Sequence, residues 1–127
     1  MAEGGCHCGA IRYSLSGEPR HSSVCHCESC RRATSSPVTT FLCAATADVT
    51  FSGETLRHYA SSPGVRRGFC GNCGSPMSFE IETRPGEIDL YVAALDDAAG
   101  VEITQHWYWN ERVAFLHCED DLPKRED

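Results

Sequence analysis

The sequence predicts a mainly β domain assembled from small antiparallel sheets, on two observations. Apolar and polar residues alternate in short runs cut by turn residues, and only two brief stretches favour a helix. Ile11, Tyr13 and Leu15 alternate with Arg12, Ser14 and Ser16 up to Gly17, the period of a half-buried strand. Val38-Thr39-Thr40-Phe41-Leu42 is β-branched and aromatic, again strand-like. Further strands are predicted over residues 49–51, 56–60, 65–69, 77–81 and 88–95, separated by Ser-Gly, Ser-Ser-Pro-Gly and Arg-Pro-Gly turns. The helical stretches are residues 28–34, limited by Pro37, and residues 96–99 before Gly100. Each amounts to one or two turns, too short for a helical layer.

At 127 residues the chain has the size of one ordinary domain, and no repeat, low-complexity tract or linker divides residues 1–127. A formal net charge of −7 disfavours a nucleic-acid partner, which requires a basic surface that releases counterions. The acidic residues Glu119-Asp120-Asp121 and Glu126-Asp127 read as a solvated tail. No apolar run approaches the roughly 18 residues of a membrane span, and Met1-Ala2-Glu3-Gly4-Gly5 lacks the pattern of a leader. The expectation is a soluble, cytoplasmic protein with no membrane partner.

Cysteine is the compositional outlier, with nine in the chain. An odd number cannot pair completely, and CxC and CxxC spacings are poorly suited to stapling distant elements, so metal binding is favoured over a disulfide scaffold. Seven of the nine form three knots: Cys6-His7-Cys8, Cys25-His26-Cys27-Glu28-Ser29-Cys30 and Cys70-Gly71-Asn72-Cys73-Gly74. Zinc is the expected metal, because thiolates in tight loops suit a borderline-soft ion without redox chemistry. The spacing matches no ferredoxin run. Cys70 to Gly74 forms a knuckle in which Gly71 and Gly74 permit the turns. Pairing Cys6 and Cys8 with Cys70 and Cys73 completes one four-cysteine site and clamps the N-terminal strand to the middle of the chain. Cys25, Cys27 and Cys30 then form a second site with an unassigned fourth position, as catalytic zinc sites commonly have. Cys43, Cys118 or one of His21, His26, His58, His106 and His117 would make that second site structural instead; the two lone cysteines also read as buried thiols.

The knots sit in a wider pattern. Gly4-Gly5-Cys6-His7-Cys8-Gly9-Ala10-Ile11-Arg12-Tyr13, Cys25-His26-Cys27-Glu28-Ser29-Cys30-Arg31-Arg32, Ser61 to Gly74 and Pro85-Gly86-Glu87-Ile88-Asp89 closely resemble the glutathione-dependent formaldehyde-activating enzyme family. The resemblance runs from about Gly4 to Pro123. It implies a β-tent-like fold around two zinc ions, with Cys6, Cys8, Cys70 and Cys73 on the structural one and Cys25, Cys27 and Cys30 on the second. The activity it implies is that of S-(hydroxymethyl)glutathione synthase, a carbon–sulfur lyase in the reverse direction.

On this reading a small thiol such as glutathione loses its proton at the open site and attacks formaldehyde. Glutathione carries two carboxylates, so Arg31, Arg32, Arg66 and Arg67, which flank the knots, are candidate substrate-binding residues. His26, between two ligands, is a candidate proton relay, and Trp107-Tyr108-Trp109 a candidate pocket wall or core. Two other classes compete. One is a zinc-stabilised protein-binding module with both sites structural; the other is a thiol-disulfide oxidoreductase using Cys70 and Cys73.

Overall fold

The computed structural model describes residues 2–126. Its strands and helix are β1 (Ala2–Gly5), β2 (Arg12–Leu15), β3 (His21–Cys25), α1 (Glu28–Thr34), β4 (Thr39–Ala45), β5 (Val49–Ser52), β6 (Leu56–Ser62), β7 (Val65–Cys70), β8 (Pro76–Ile81), β9 (Glu87–Tyr91) and β10 (Gln105–Trp107). Strands β1, β2 and β5 form a three-stranded antiparallel sheet in the order β1-β2-β5, and the other seven form a second sheet in the order β10-β3-β4-β9-β8-β7-β6. Every pairing is antiparallel except that of β10, which lies parallel to β3 at the sheet edge. The fold is mainly β, as the alternating pattern predicts.

Alternation along the central strands gives the large sheet two different faces. Leu42, Ala44, Ile88 and Leu90 leave β4 and β9 on one side and pack with Tyr13 and Leu15 of the small sheet and with Ile11 just before it, all buried. Phe41 and Tyr91 leave on the other side and cluster with Cys25 and Cys30. Burying each large aliphatic side chain of the first cluster contributes about 1.5–3 kcal/mol, so that cluster holds the sheets together. The second face packs against the three cysteines of the middle knot.

Several elements depart from the sequence expectation. The runs at 56–60, 65–69 and 77–81 are strands, and the helix over residues 28–34 forms with those bounds. Strands β1, β3 and β10 arise from sequences with little β preference, Ala-Glu-Gly-Gly, His-Ser-Ser-Val-Cys and Gln-His-Trp. The run 88–95 ends as a strand at Tyr91 and continues as a 3₁₀ turn over Val92–Ala94, while the turn expected at 96–99 lies at Ala98–Gly100. No helix among the described residues is long and apolar enough to cross a membrane.

Candidate functional site

Two hairpin tips from different sheets meet at the first cysteine group. The β1–β2 tip brings Cys6 and Cys8, the β7–β8 tip brings Cys70 and Cys73, and their four sulfurs lie within 4.8 Å of one another. Cys6 and Cys8 Sγ are 3.6 Å apart and Cys8 and Cys70 Sγ 3.9 Å. Two thiolates on one tetrahedral ion stand about 3.8 Å apart, given metal–sulfur bonds of about 2.3 Å. All nine cysteines are free of disulfides.

Hydrogen-bond donors point at three of these sulfurs. The Ile11 amide donates to Cys6 Sγ at 3.2 Å, Asn72 Nδ2 to Cys8 Sγ at 3.3 Å and the Cys73 amide to Cys70 Sγ at 3.5 Å. The Ser75 hydroxyl, 3.1 Å from Cys73 Sγ, leads the hydrogen bonds that draw that thiol down to about 5. Gly74 turns the knuckle at a φ of 82°. Gly71 serves differently: a Cβ there would stand 2.9 Å from Arg57 Cγ and 3.1 Å from the Thr55 carbonyl oxygen, so glycine admits a close approach rather than a turn.

The second group is built from one chain segment. Cys25 ends β3, Cys27 is the N-cap of α1 and Cys30 lies in its first turn, so a strand-to-helix corner converges three thiols. Cys25 and Cys30 Sγ are 3.8 Å apart, and the Cys30 amide donates to Cys27 Sγ at 3.3 Å. Among the described residues no fourth His, Cys, Asp or Glu joins these three. Hydrogen bonds from the Cys25 and Cys27 thiols, and then the nearby Arg67 guanidinium, pull the Cys30 thiol down to about 3.

Arg67 is 3% exposed and spends its donors on this corner. Its Nη1 and Nη2 stand 3.7 and 3.6 Å from Cys30 Sγ, Nη2 donates to Ser29 Oγ at 3.0 Å, and Nε donates to Ser61 Oγ at 2.9 Å. Phe79 lies beneath it, with the ring centroid 4.9 Å from Cζ. A buried guanidinium favours an anionic neighbour, and the group beside it here is the Cys30 sulfur, whose thiol is drawn down.

A cavity of about 530 Å³ is lined by the three cysteines, by Phe41, Phe79, Trp107 and Tyr108, and also by Arg84 and Asp89. Of the four arginines singled out in the sequence, Arg67 lines it and Arg31, Arg32 and Arg66 do not. Arg32 pairs with Glu28 and Arg66 with Glu80, both on the surface, and the Nε of Arg31 is buried without a partner among the described residues. Arg84, which no sequence signal marked, reaches the cavity but is held by Asp89 at 2.7 Å and Glu87 at 3.1 Å. Ser29 and Ser61 had no legible signal either, because only the fold brings them to Arg67.

His26 turns away from the cavity. Its Nε2 stands 2.8 Å from His106 Nδ1, and His106 Nε2 stands 2.9 Å from an Asp120 carboxylate oxygen. Burial, and then His106, push His26 down to about 4, so the ring is neutral. With Asp120 accepting from His106 Nε2–H, His106 Nδ1 accepts from His26 Nε2–H, a tautomer assignment made from the network. Cys118 lies close to the two rings. Two nitrogens on one ion would stand about 3.3 Å apart, given metal–nitrogen bonds of about 2.0–2.1 Å, so the His26–His106 spacing is that of a hydrogen bond. Cys43 is 1% exposed on β4 and joins neither cysteine group.

A family model described as glutathione-dependent formaldehyde-activating enzyme matches residues 1–111. The chain belongs to that family. A Schizosaccharomyces pombe protein described as an uncharacterized lyase is 42% identical to this family member over 77 residues, which are 61% of this chain and 56% of that protein. The chain thus spans little more than half of that relative's length. A crystal structure of a Rhodobacter sphaeroides protein superposes with a TM-score of 0.61 at 27% identity, covering 79% of this chain and 90% of that one. Both cysteine groups, the cavity and Tyr108 lie inside the family match, whereas Cys118 and Asp120 lie beyond it.

Proposed function

We propose that this chain is a zinc-dependent carbon–sulfur lyase that joins a glutathione-type thiol to a small aldehyde, forming S-(hydroxymethyl)glutathione or a related adduct, and reverses that reaction. One observation carries the reading. Three thiols, with no fourth protein ligand among the described residues, face a cavity large enough for a small organic molecule, while four other thiols close on themselves. The family's description and the lyase in the name of the fission-yeast relative support it.

Cys6, Cys8, Cys70 and Cys73 would hold a structural zinc, and Cys25, Cys27 and Cys30 a second. When bound at the second site, zinc supplies the Lewis acidity that lets a thiol give up its proton near neutral pH. The chain's own residues do the rest. Arg67 places positive charge beside Cys30 Sγ, which favours the thiolate, and holds the corner's shape through Ser29 and Ser61. Phe41 and Phe79 keep that side of the cavity dry, which strengthens every charge interaction within it. The overall chemistry balances without a redox partner: the thiol S–H loses its proton, a C–S bond forms at the aldehyde carbon, and the aldehyde oxygen gains a proton.

The test is to load the protein with zinc, count the metal, and follow glutathione and formaldehyde by exchange NMR. The expected result is two zinc ions per chain and exchange faster than without protein. A rate equal to the uncatalysed one removes the reading and leaves the protein-binding module.

A further inference from the structure

Trp107 and Tyr108 both line the cavity. In an extended strand that is forbidden, because successive side chains leave on opposite faces. The backbone explains it. Strand β10 ends at Trp107, and Tyr108 adopts the left-handed region at φ 55° and ψ 43°. Glycine takes that conformation freely, whereas for a bulky aromatic residue it is strained. Ser35 is the one other non-glycine residue with positive φ among the described residues, and it ends α1, where that conformation is routine.

Neighbours on both sides impose the conformation. The Trp107 carbonyl accepts from the His26 amide at 3.0 Å, and the Tyr108 carbonyl accepts from the Glu111 amide at 2.9 Å. Trp109 points the other way, edge-on to His26 and His106 with ring centroids 5.0 Å away in each case. The kink therefore sends Trp109 behind the three-cysteine corner and swings Tyr108 in front of it.

The two arginines of the cavity are engaged, Arg67 with Cys30 and two serines, Arg84 with Asp89 and Glu87. The Tyr108 hydroxyl makes no hydrogen bond among the described residues. The residue is 40% exposed, at the mouth rather than in the core. A phenol is protonated at neutral pH in any case; burial first, and then the thiolates of Cys27 and Cys25, push this one higher.

We propose that Tyr108 is a catalytic residue of this site, whose hydroxyl donates a hydrogen bond to the aldehyde oxygen as the thiol sulfur bonds to the aldehyde carbon. The proposal rests on the function proposed above. As the C–S bond forms, the π pair of the carbonyl moves onto its oxygen, and a donor already placed there stabilises the developing charge. The phenol ends the reaction as it began, and the proton the oxygen finally takes is the one the thiol gave up.

Two variants of the zinc-loaded protein test it. Tyr108→Gly accepts the backbone conformation, and its thermal midpoint is expected to equal or exceed that of the parent; a lower midpoint makes the ring a structural prop and overturns the proposal. Tyr108→Phe keeps the ring and removes the donor. It should bind glutathione alone as the parent does, bind the equilibrated glutathione–formaldehyde adduct about five-fold more weakly by calorimetry, and lose about ten-fold or more in exchange rate. Equal adduct affinity and equal rate in Tyr108→Phe overturn the proposal. A parent protein without catalysis, but with the adduct-affinity difference intact, removes the lyase reading and upholds the contact between hydroxyl and oxygen.

Discussion

Arg67 shows how one side chain changes role between sequence and structure. Next to Arg66, ahead of the knuckle, it looks like one of several cations for a substrate carboxylate. In place, it is buried against Cys30 and braced by Ser29 and Ser61, so its donors go to the protein's own side chains. A lysine keeps the charge but cannot serve sulfur and both serines with a planar fork. Arg67→Lys is therefore expected to weaken metal binding at the three-cysteine group about ten-fold or more, as read by competition with a chromogenic chelator; unchanged affinity would detach Arg67 from the centre. Tyr13 gives a pH dependence of its own. Burial raises it to about 12, so between its ordinary value near 10 and that point the unfolded chain ionises while the folded one holds its proton. Stability is intact below pH 10 and falls as pH rises, by about 1.4 kcal/mol per unit. Urea midpoints across that window should fall more steeply in the parent than in Tyr13→Phe, and parallel slopes would contradict this.

The knuckle and the helix were legible as elements because their residues act locally. Glu28, the two arginines and Ala33 favour a helix wherever they sit, and Cys27 caps it through its own sulfur. Gly74 holds a φ of 82°, and a Cβ added there would meet nothing within 4 Å, so its value is conformational alone. Gly74→Ala should cost about 1 kcal/mol, visible as a lower thermal midpoint, while an unchanged midpoint would show that the turn tolerates a side chain. Strands β1, β3 and β10 were not legible. Gly4 lies so close to the Ala94 carbonyl that a Cβ would stand 2.5 Å from its oxygen, and Ser22 and Ser23 are both buried between β4 and β10. Backbone pairing, not side-chain pattern, makes those residues strands.

The two cysteine groups differ in what they connect. The four-cysteine group joins hairpin tips of two sheets across more than sixty residues of chain, whereas the three-cysteine group lies within one corner. Cys73→Ser should therefore lower the thermal midpoint by about 10 °C or more, while Cys27→Ser should leave the fold in place and abolish thiol exchange. Scanning calorimetry beside exchange NMR separates the two effects, and equal destabilisation by both substitutions would make both groups structural. His106 and Asp120 extend the connection to the C-terminal segment, where Arg125 also pairs its backbone with His106 and Trp109.

The mainly β class, the helix at residues 28–34 and the grouping of seven cysteines into three knots were contained in the sequence, because alternation, helix propensity and CxC or CxxC spacing are short-range properties. The lack of a fourth His, Cys, Asp or Glu at Cys25, Cys27 and Cys30 among the described residues, and the placement of Arg67 and Tyr108 over that corner, are long-range facts. They depend on strand order and on a backbone kink at Tyr108, both imposed by neighbours distant in the chain, and no local pattern encodes them.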